Sequence, residues 1–195
     1  MVSDAEHSFL KGQFDTLLEK VKDNQKVFDK FQRFELAMLS TTDLHELLEI
    51  ILYQSIRHFE LSDCRLLWFE QPALAPLLSS QTIKQYGHRL TLKSDTVAGD
   101  LFAQGKTPIL HQFQEGEKAT WFPGKTQVLS AAFVPLYAGK QLLGVLLFGS
   151  FDKHRFAGDK GTDFMAHMGL IAGRCLQGLI QQEQIQRLSM LDTLT

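Results

Sequence analysis

"VLSAAFVPLYAGKQLLGVLLFGS", residues 128–150, is two apolar runs joined at Ala138-Gly139-Lys140. A short loop holding glycine between such runs reads as a β-hairpin, with strands over about 128–137 and 141–149. Both alternating sets of side chains are apolar in each strand. Leu129, Ala131 and Phe133 alternate with Val128, Ala132 and Val134. Leu142, Leu146 and Phe148 alternate with Leu143, Val145 and Leu147. A sheet with one wet face would alternate apolar with polar. This sheet must be covered on both faces, and the rest of the chain has to supply the covers.

Downstream, "FDKHRFAGDKGTDFMAHMGLIAGRCLQGLIQQEQIQRLSML" reads as one long helix that Asp159 or Thr162 can cap. Phe164, Met168, Ile171 and Cys175 make a stripe, with Met165, Ala172, Leu176 and Leu179 beside it. Gly169, Gly173 and Gly178 weaken the helix and permit close approach to a neighbour. After about residue 180 only Ile185, Leu188 and Leu191 are apolar, so packing gives way to a connector over 181–195.

Upstream, residues 5–38 hold no Pro and one Gly, Gly12. Leu10, Phe14, Leu17, Val21, Asn24, Phe28 and Phe31 are spaced alternately four and three apart on an otherwise charged helix. That is a heptad seam, and 1–39 is expected to form a coiled coil or bundle, with Asn24 setting register. The competing reading is a helix lying on its own domain. A second helix is expected over about 43–59, with Asp43 and Glu46 at capping-box spacing and a wide Leu/Ile face. "DCRLLWFEQP" reads as a strand stopped by Pro72. Four of the five prolines then fall between 71 and 127. This crossover is expected to hold a short strand near 89–93, a helix near 95–104 and a short helix near 115–122. It is the element left to roof the second sheet face, and such a roof is a natural site for a small-molecule pocket.

The totals narrow the function. Net charge is -2 and the pI about 6.4, which leaves no basic field for a nucleic-acid partner. No apolar run approaches a membrane span, and "MVSDAEHSFLKG" lacks the pattern of a signal peptide. The two cysteines, Cys64 and Cys175, fit a reducing compartment, so the expected location is the cytoplasm. No phosphate-binding loop, no Cys-x-x-Cys and no metal-ligand spacing occurs. No catalytic residue, metal or cofactor is assigned.

"LSTTDLHELLEII", "DCRLLWF" and above all "SAAFVPLYAGKQLLGVLLFGSFDKHRF" make the chain resemble a GAF domain over about 40–180. Pro135-Leu136, Gly139, Gly144 and Phe156 sit where GAF sequences have the Pro-Leu, the turn Gly, the strand Gly and the Phe after the hairpin. "GSFDKHRFAGDKGTDFM" resembles a bacterial GAF-like family of uncharacterised function. The resemblance implies an α+β, PAS-like fold: an antiparallel sheet with helices on one face and the irregular crossover on the other, between long terminal helices. It also implies a sensing and dimerising module. "LSMLDTLT", residues 188–195, is similar to the start of a GGDEF domain, with Leu188, Asp192, Leu194 and Thr195 at the matching positions. The expectation is therefore that the chain continues into a diguanylate cyclase, whose two catalytic domains must face each other to make cyclic di-GMP.

Trp68, Trp121 and Phe122 are the pocket candidates, aromatic faces able to stack on a flat ligand; plain core packing is the alternative. Ser130 is either a polar group inside that pocket or a hydroxyl bonded to backbone. His111 joins them; in some GAF sensors a histidine holds haem iron, and an ordinary loop histidine is the other reading. Cys64 beside Arg65 raises the question of a reactive thiol, as in GAF-fold methionine sulfoxide reductases, against a buried strand cysteine. The functional expectation is a homodimeric regulatory module taking an unidentified small effector. The rivals are a constitutive dimerisation scaffold and a standalone binding protein.

Overall fold

The computed structural model describes residues 4–69, 84–94, 102, 107–114, 117–125, 127–158 and 161–192. Helix α1 (Asp4–Leu39) is followed by α2 (Leu44–Glu49), a π-helical turn (Ile50–Gln54) and α3 (Ser55–His58). Strands β1 (Asp63–Phe69), β2 (Leu90–Lys93) and β3 (Ile109–Gln112) lead to a four-residue helix, α4 (Lys118–Trp121). The hairpin β4 (Ser130–Ala138) and β5 (Gln141–Ser150) comes next, then the long helix α5 (Asp163–Asp192). The sheet order is β2-β1-β5-β4-β3.

The hairpin forms at the centre of the sheet. Gly139 takes φ 64° at the turn, a conformation that costs glycine nothing. The register slips by one residue between Leu136 and Tyr137, a bulge near the loop. One pair departs from the expected antiparallel sheet: β1 and β2 are parallel, Leu66 opposite Leu90 through Phe69 opposite Lys93. A parallel neighbour needs a long return connection, and the stretch between Phe69 and Leu90 supplies it. Within the crossover, Ile109–Gln112 forms edge strand β3, paired with β4. The helix expected near 95–104 lies outside the described residues apart from residue 102, and the one near 115–122 is the single turn α4.

Both sheet faces are covered. Leu66, Trp68, Ala132, Val134, Leu146 and Phe148 join α1, α2, α3 and α5 in one core. Leu67, Phe69, Ala131, Phe133, Val145 and Leu147 join Phe102, Phe113, Phe122 and Val128 in a second core under the crossover. Burying each large apolar side chain contributes about 1.5–3 kcal/mol, which is why the hairpin tolerates almost no polar position. The helix expected over 43–59 keeps its path but widens in the middle. Asp43 caps it through Glu46 N–H (2.8 Å), and the Glu46 carboxylate accepts from Thr42 N–H (3.1 Å). In the π turn the Ile51 carbonyl accepts from Ser55 Oγ (2.5 Å) and from Cys64 Sγ (3.3 Å), which ties the helix to β1.

Helix α5 lies on β4 where glycines let backbones meet. A Cβ at Gly169 would stand 2.7 Å from the Pro135 carbonyl oxygen, and one at Gly173 would run into the Tyr137 backbone. Gly178 faces open space and makes no such approach. Phe28 and Phe31 of α1 meet Phe164 of α5, and Glu35 meets His167 (2.8 Å). The two helices therefore run in the same direction. Beyond this shared stretch each overshoots: α1 at its N-terminal end, α5 at its C-terminal end.

Candidate functional site

The five pocket candidates divide between the two faces of the sheet. His111, Trp121 and Phe122 come together under the crossover. The Trp121 ring stands edge-on to Phe133 at 5.1 Å, and Phe122 meets Phe113 at 5.9 Å. His111 packs edge-on against Phe113 and Phe133, and its Nε2 lies 2.8 Å from the Glu117 carboxylate. This face is packed: Phe122, Phe133 and Val128 are buried, and Trp121 is half-buried beside them. No group of three or more His, Cys, Asp or Glu able to hold a metal occurs among the described residues.

Trp68 and Ser130 do not belong to that cluster, and the expectation of one shared pocket is corrected accordingly. Strand alternation sends Trp68 with Leu66 into the helix-side core, while Leu67 and Phe69 face the crossover. Trp68 is 1% exposed, and its Nε1 has no hydrogen-bond partner among the described residues. Ser130 is buried and donates to the Asp152 carbonyl oxygen at 2.6 Å. It pins the chain leaving β5, which is the backbone-bonded alternative.

The charged residues of β1 are structural. Asp63, 1% exposed, accepts from Arg65 Nε (2.9 Å) and Arg89 Nη1 (2.5 Å). Arg65 also donates to the Pro123 carbonyl (3.0 Å) and lies over Phe122, so it anchors the crossover to the sheet. Arg65 is thus turned to Asp63 and the crossover. Burial pushes the Cys64 thiol up to about 12, the opposite of an activated nucleophile.

A site that the sequence pattern did not point to lies at the base of α1. A groove of about 660 Å³ opens between α1, the end of α3, the segment after β5 and the start of α5. Its walls are Val27, Phe31, Phe59, Phe148, Phe156 and Phe164, and its polar groups are Asn24, Lys30, Glu60, Arg155 and Asp163. Arg155 holds the floor. It donates from Nη1 to the Glu60 carbonyl (2.6 Å) and from Nη2 to the Phe59 carbonyl, capping the C-terminus of α3. Glu60 sits at φ 54°, the left-handed residue that ends the helix, and its carboxylate pairs with Lys30 at 2.8 Å. Partial burial lowers the Arg155 pKa, and Lys30 holds the Glu60 carboxyl below its ordinary value. His58 Nε2 reaches the Lys30 carbonyl at 2.6 Å, a second tie between the end of α3 and α1. Two sequence patterns touch this groove: the seam through Asn24 and Phe31, and the α5 stripe through Phe164.

The seam divides. Phe31 packs on Phe59 and Phe164, and Phe28 on Phe164, so the C-terminal end of α1 lies on its own domain. Leu10, Phe14, Leu17 and Val21 are each more than half exposed, together with Phe9. Ile185 and Leu188 of the α5 overhang are exposed as well. Among the described residues no helix is long and apolar enough to cross a membrane.

The sequence matches the family described as "Protein of unknown function, DUF484" over residues 3–181. The chain belongs to that family. The match takes in α1 as well as the sheet, and so treats the helix and the domain as one unit. The DUF484 chain has the fold of a GAF domain. It is similar to the crystal structure of the GAF domain from Acinetobacter phosphoenolpyruvate-protein phosphotransferase, with a TM-score of 0.56. Identity is 15%, and the likeness covers 82% of this chain and 95% of that one. No curated protein matches the chain.

Proposed function

We propose that this DUF484 chain is a regulatory and dimerisation module that acts through its two overhanging helices. One observation supports this above the rest: the exposed Leu10, Phe14, Leu17 and Val21 stripe projects past the domain, with no element among the described residues beneath it. A soluble monomer rarely leaves so regular an apolar row to water. On this reading the GAF-like domain fixes the geometry of α1 and α5, and a change at the domain alters how α5 is presented. Leu188, Asp192, Leu194 and Thr195 match the start of a GGDEF domain in the resemblance above, which makes diguanylate cyclase output the specific form of the proposal. Reading the gene through the codon for Thr195 tests that form. A continuing frame with Gly-Leu next and Gly-Gly-(Asp/Glu)-Glu-Phe later supports it; a stop codon removes the cyclase and leaves the dimerising module.

A second reading is favoured by the packing of the crossover face. Phe113, Phe122 and Phe133 fill it with the protein's own aromatics. A constitutive scaffold needs no effector there, whereas a sensor must bind one arrangement better than another. Native mass spectrometry of the purified chain separates the two. A retained or acquired small-molecule mass favours the sensor.

A further inference from the structure

We infer that α1 pairs with α1 of a second copy in antiparallel orientation, the exposed arm of each lying in the groove at the base of the other. The inference rests on the dimer reading above and specifies its geometry. The charge on α1 is unevenly divided. By sequence, Asp4, Glu6, Asp15 and Glu19 against Lys11 leave residues 4–19 at -3. Residues 20–39 carry Lys20, Lys22, Lys26, Lys30 and Arg33 against Asp23, Asp29 and Glu35, which leaves +2. A parallel pair would set like charge beside like along the whole helix. An antiparallel pair sets the acidic arm beside the basic base, well within a screening length of about 8 Å at physiological salt. The helix dipoles are opposed in the same arrangement.

The seam has the same centre as the charge. Its seven positions run from Leu10 to Phe31 with Val21 in the middle, and the sign of charge changes between Glu19 and Lys20. Reversing one helix about that centre sets Leu10 against Phe31, Phe14 against Phe28, and Leu17 against Asn24. Those are the residues at which the structure leaves room. Asn24, Val27 and Phe31 line the groove together with Phe164, and Phe28 remains nearly half exposed. Leu10 and Phe14 of the second copy are the apolar side chains that fill it. Because α1 and α5 run the same way in each copy, the two α5 overhangs then leave at opposite ends. On the cyclase form of the proposed function this holds the two output domains apart, so the pair is a resting state.

Pulsed electron paramagnetic resonance on the full chain decides the orientation. Cys175 is replaced by Ser, Cys64 is left in the core, and a nitroxide is placed at Lys11→Cys or, separately, at Lys20→Cys, both exposed positions. The antiparallel pair sets the two Lys11 sites about 19 residues apart along the axis, or about 28 Å. The two Lys20 sites, next to the centre, give a short distance. Short distances at both sites would mean a parallel pair and would overturn the inference while leaving the dimer reading standing. No intermolecular distance at either site would mean a monomer and would overturn both.

Discussion

At the scale of single residues, the chemistry of β1 follows from burial. Cys64 is fully enclosed and donates to a backbone carbonyl of the π turn. Its thiol is held protonated up to about 12 against an ordinary 9.0, chiefly by desolvation. Between those values the unfolded chain has released a proton that the folded chain retains, so stability falls as pH rises through the window and is untouched below it. The Tyr86 phenol, raised by burial to about 12, adds to the same slope. Urea midpoints at about pH 8 and about pH 10 are expected to fall more for the native sequence than for Cys64→Ala. Equal slopes would mean that Cys64 is solvated. Thiol reagents are expected to label Cys64 only on unfolding; labelling of the folded chain would favour the enzyme reading of this residue.

At the scale of elements, close approach and capping set the stability. Gly173 and Gly178 lie on the same helix yet are expected to respond with opposite signs to alanine. Gly173→Ala pushes a methyl into the Tyr137 backbone and is expected to cost about 1–3 kcal/mol by overpacking. Gly178→Ala meets open space and is expected to gain up to about 1 kcal/mol of helix propensity. Denaturant titrations of both read the difference. Arg155→Ala leaves the Phe59 and Glu60 carbonyls without their cap and is expected to lower stability by about 1–3 kcal/mol, seen as a lower melting temperature. An unchanged melting temperature would mean that solvent replaces the cap.

These elements also show what the sequence made legible. The hairpin was readable because its two apolar runs and turn glycine are local signals. The helix on each side was readable from its stripe. The parallel β2 was not, because strand direction depends on a long connection and not on the strand's own residues. The pocket candidates divide for a reason of strand geometry. Aromatic side chains on adjacent positions of β1 point to opposite faces, so Trp68 could not share a cavity with Trp121 and Phe122 even though all three are buried or half-buried aromatics. The groove was invisible because its walls come from five separate segments: α1, the end of α3, β5, the stretch after it and the start of α5. Asn24 and Phe31 carried the heptad pattern and Phe164 the stripe of α5, and those patterns described helix surfaces, not a cavity.

At the scale of the whole molecule, the domain reads as a rigid mount for two helices that leave it at opposite ends. The double core holds the sheet, Arg155 and Asp63 hold the connections, and the glycines of α5 hold that helix to β4. Among the described residues the apolar arm of α1 is left uncovered, as are Ile185 and Leu188 of the α5 overhang, and what covers the arm decides the assembly. Light scattering of the purified chain over a range of micromolar concentrations, with and without Phe14→Asp combined with Val21→Asp, is the most direct test. Both side chains are exposed, so the fold should survive the change. A mass twice that of the 22.1 kDa chain is expected for the native sequence, and a shift to the single-chain mass for the variant. A native chain that stays at 22.1 kDa, or a variant that stays dimeric, would contradict pairing through this arm.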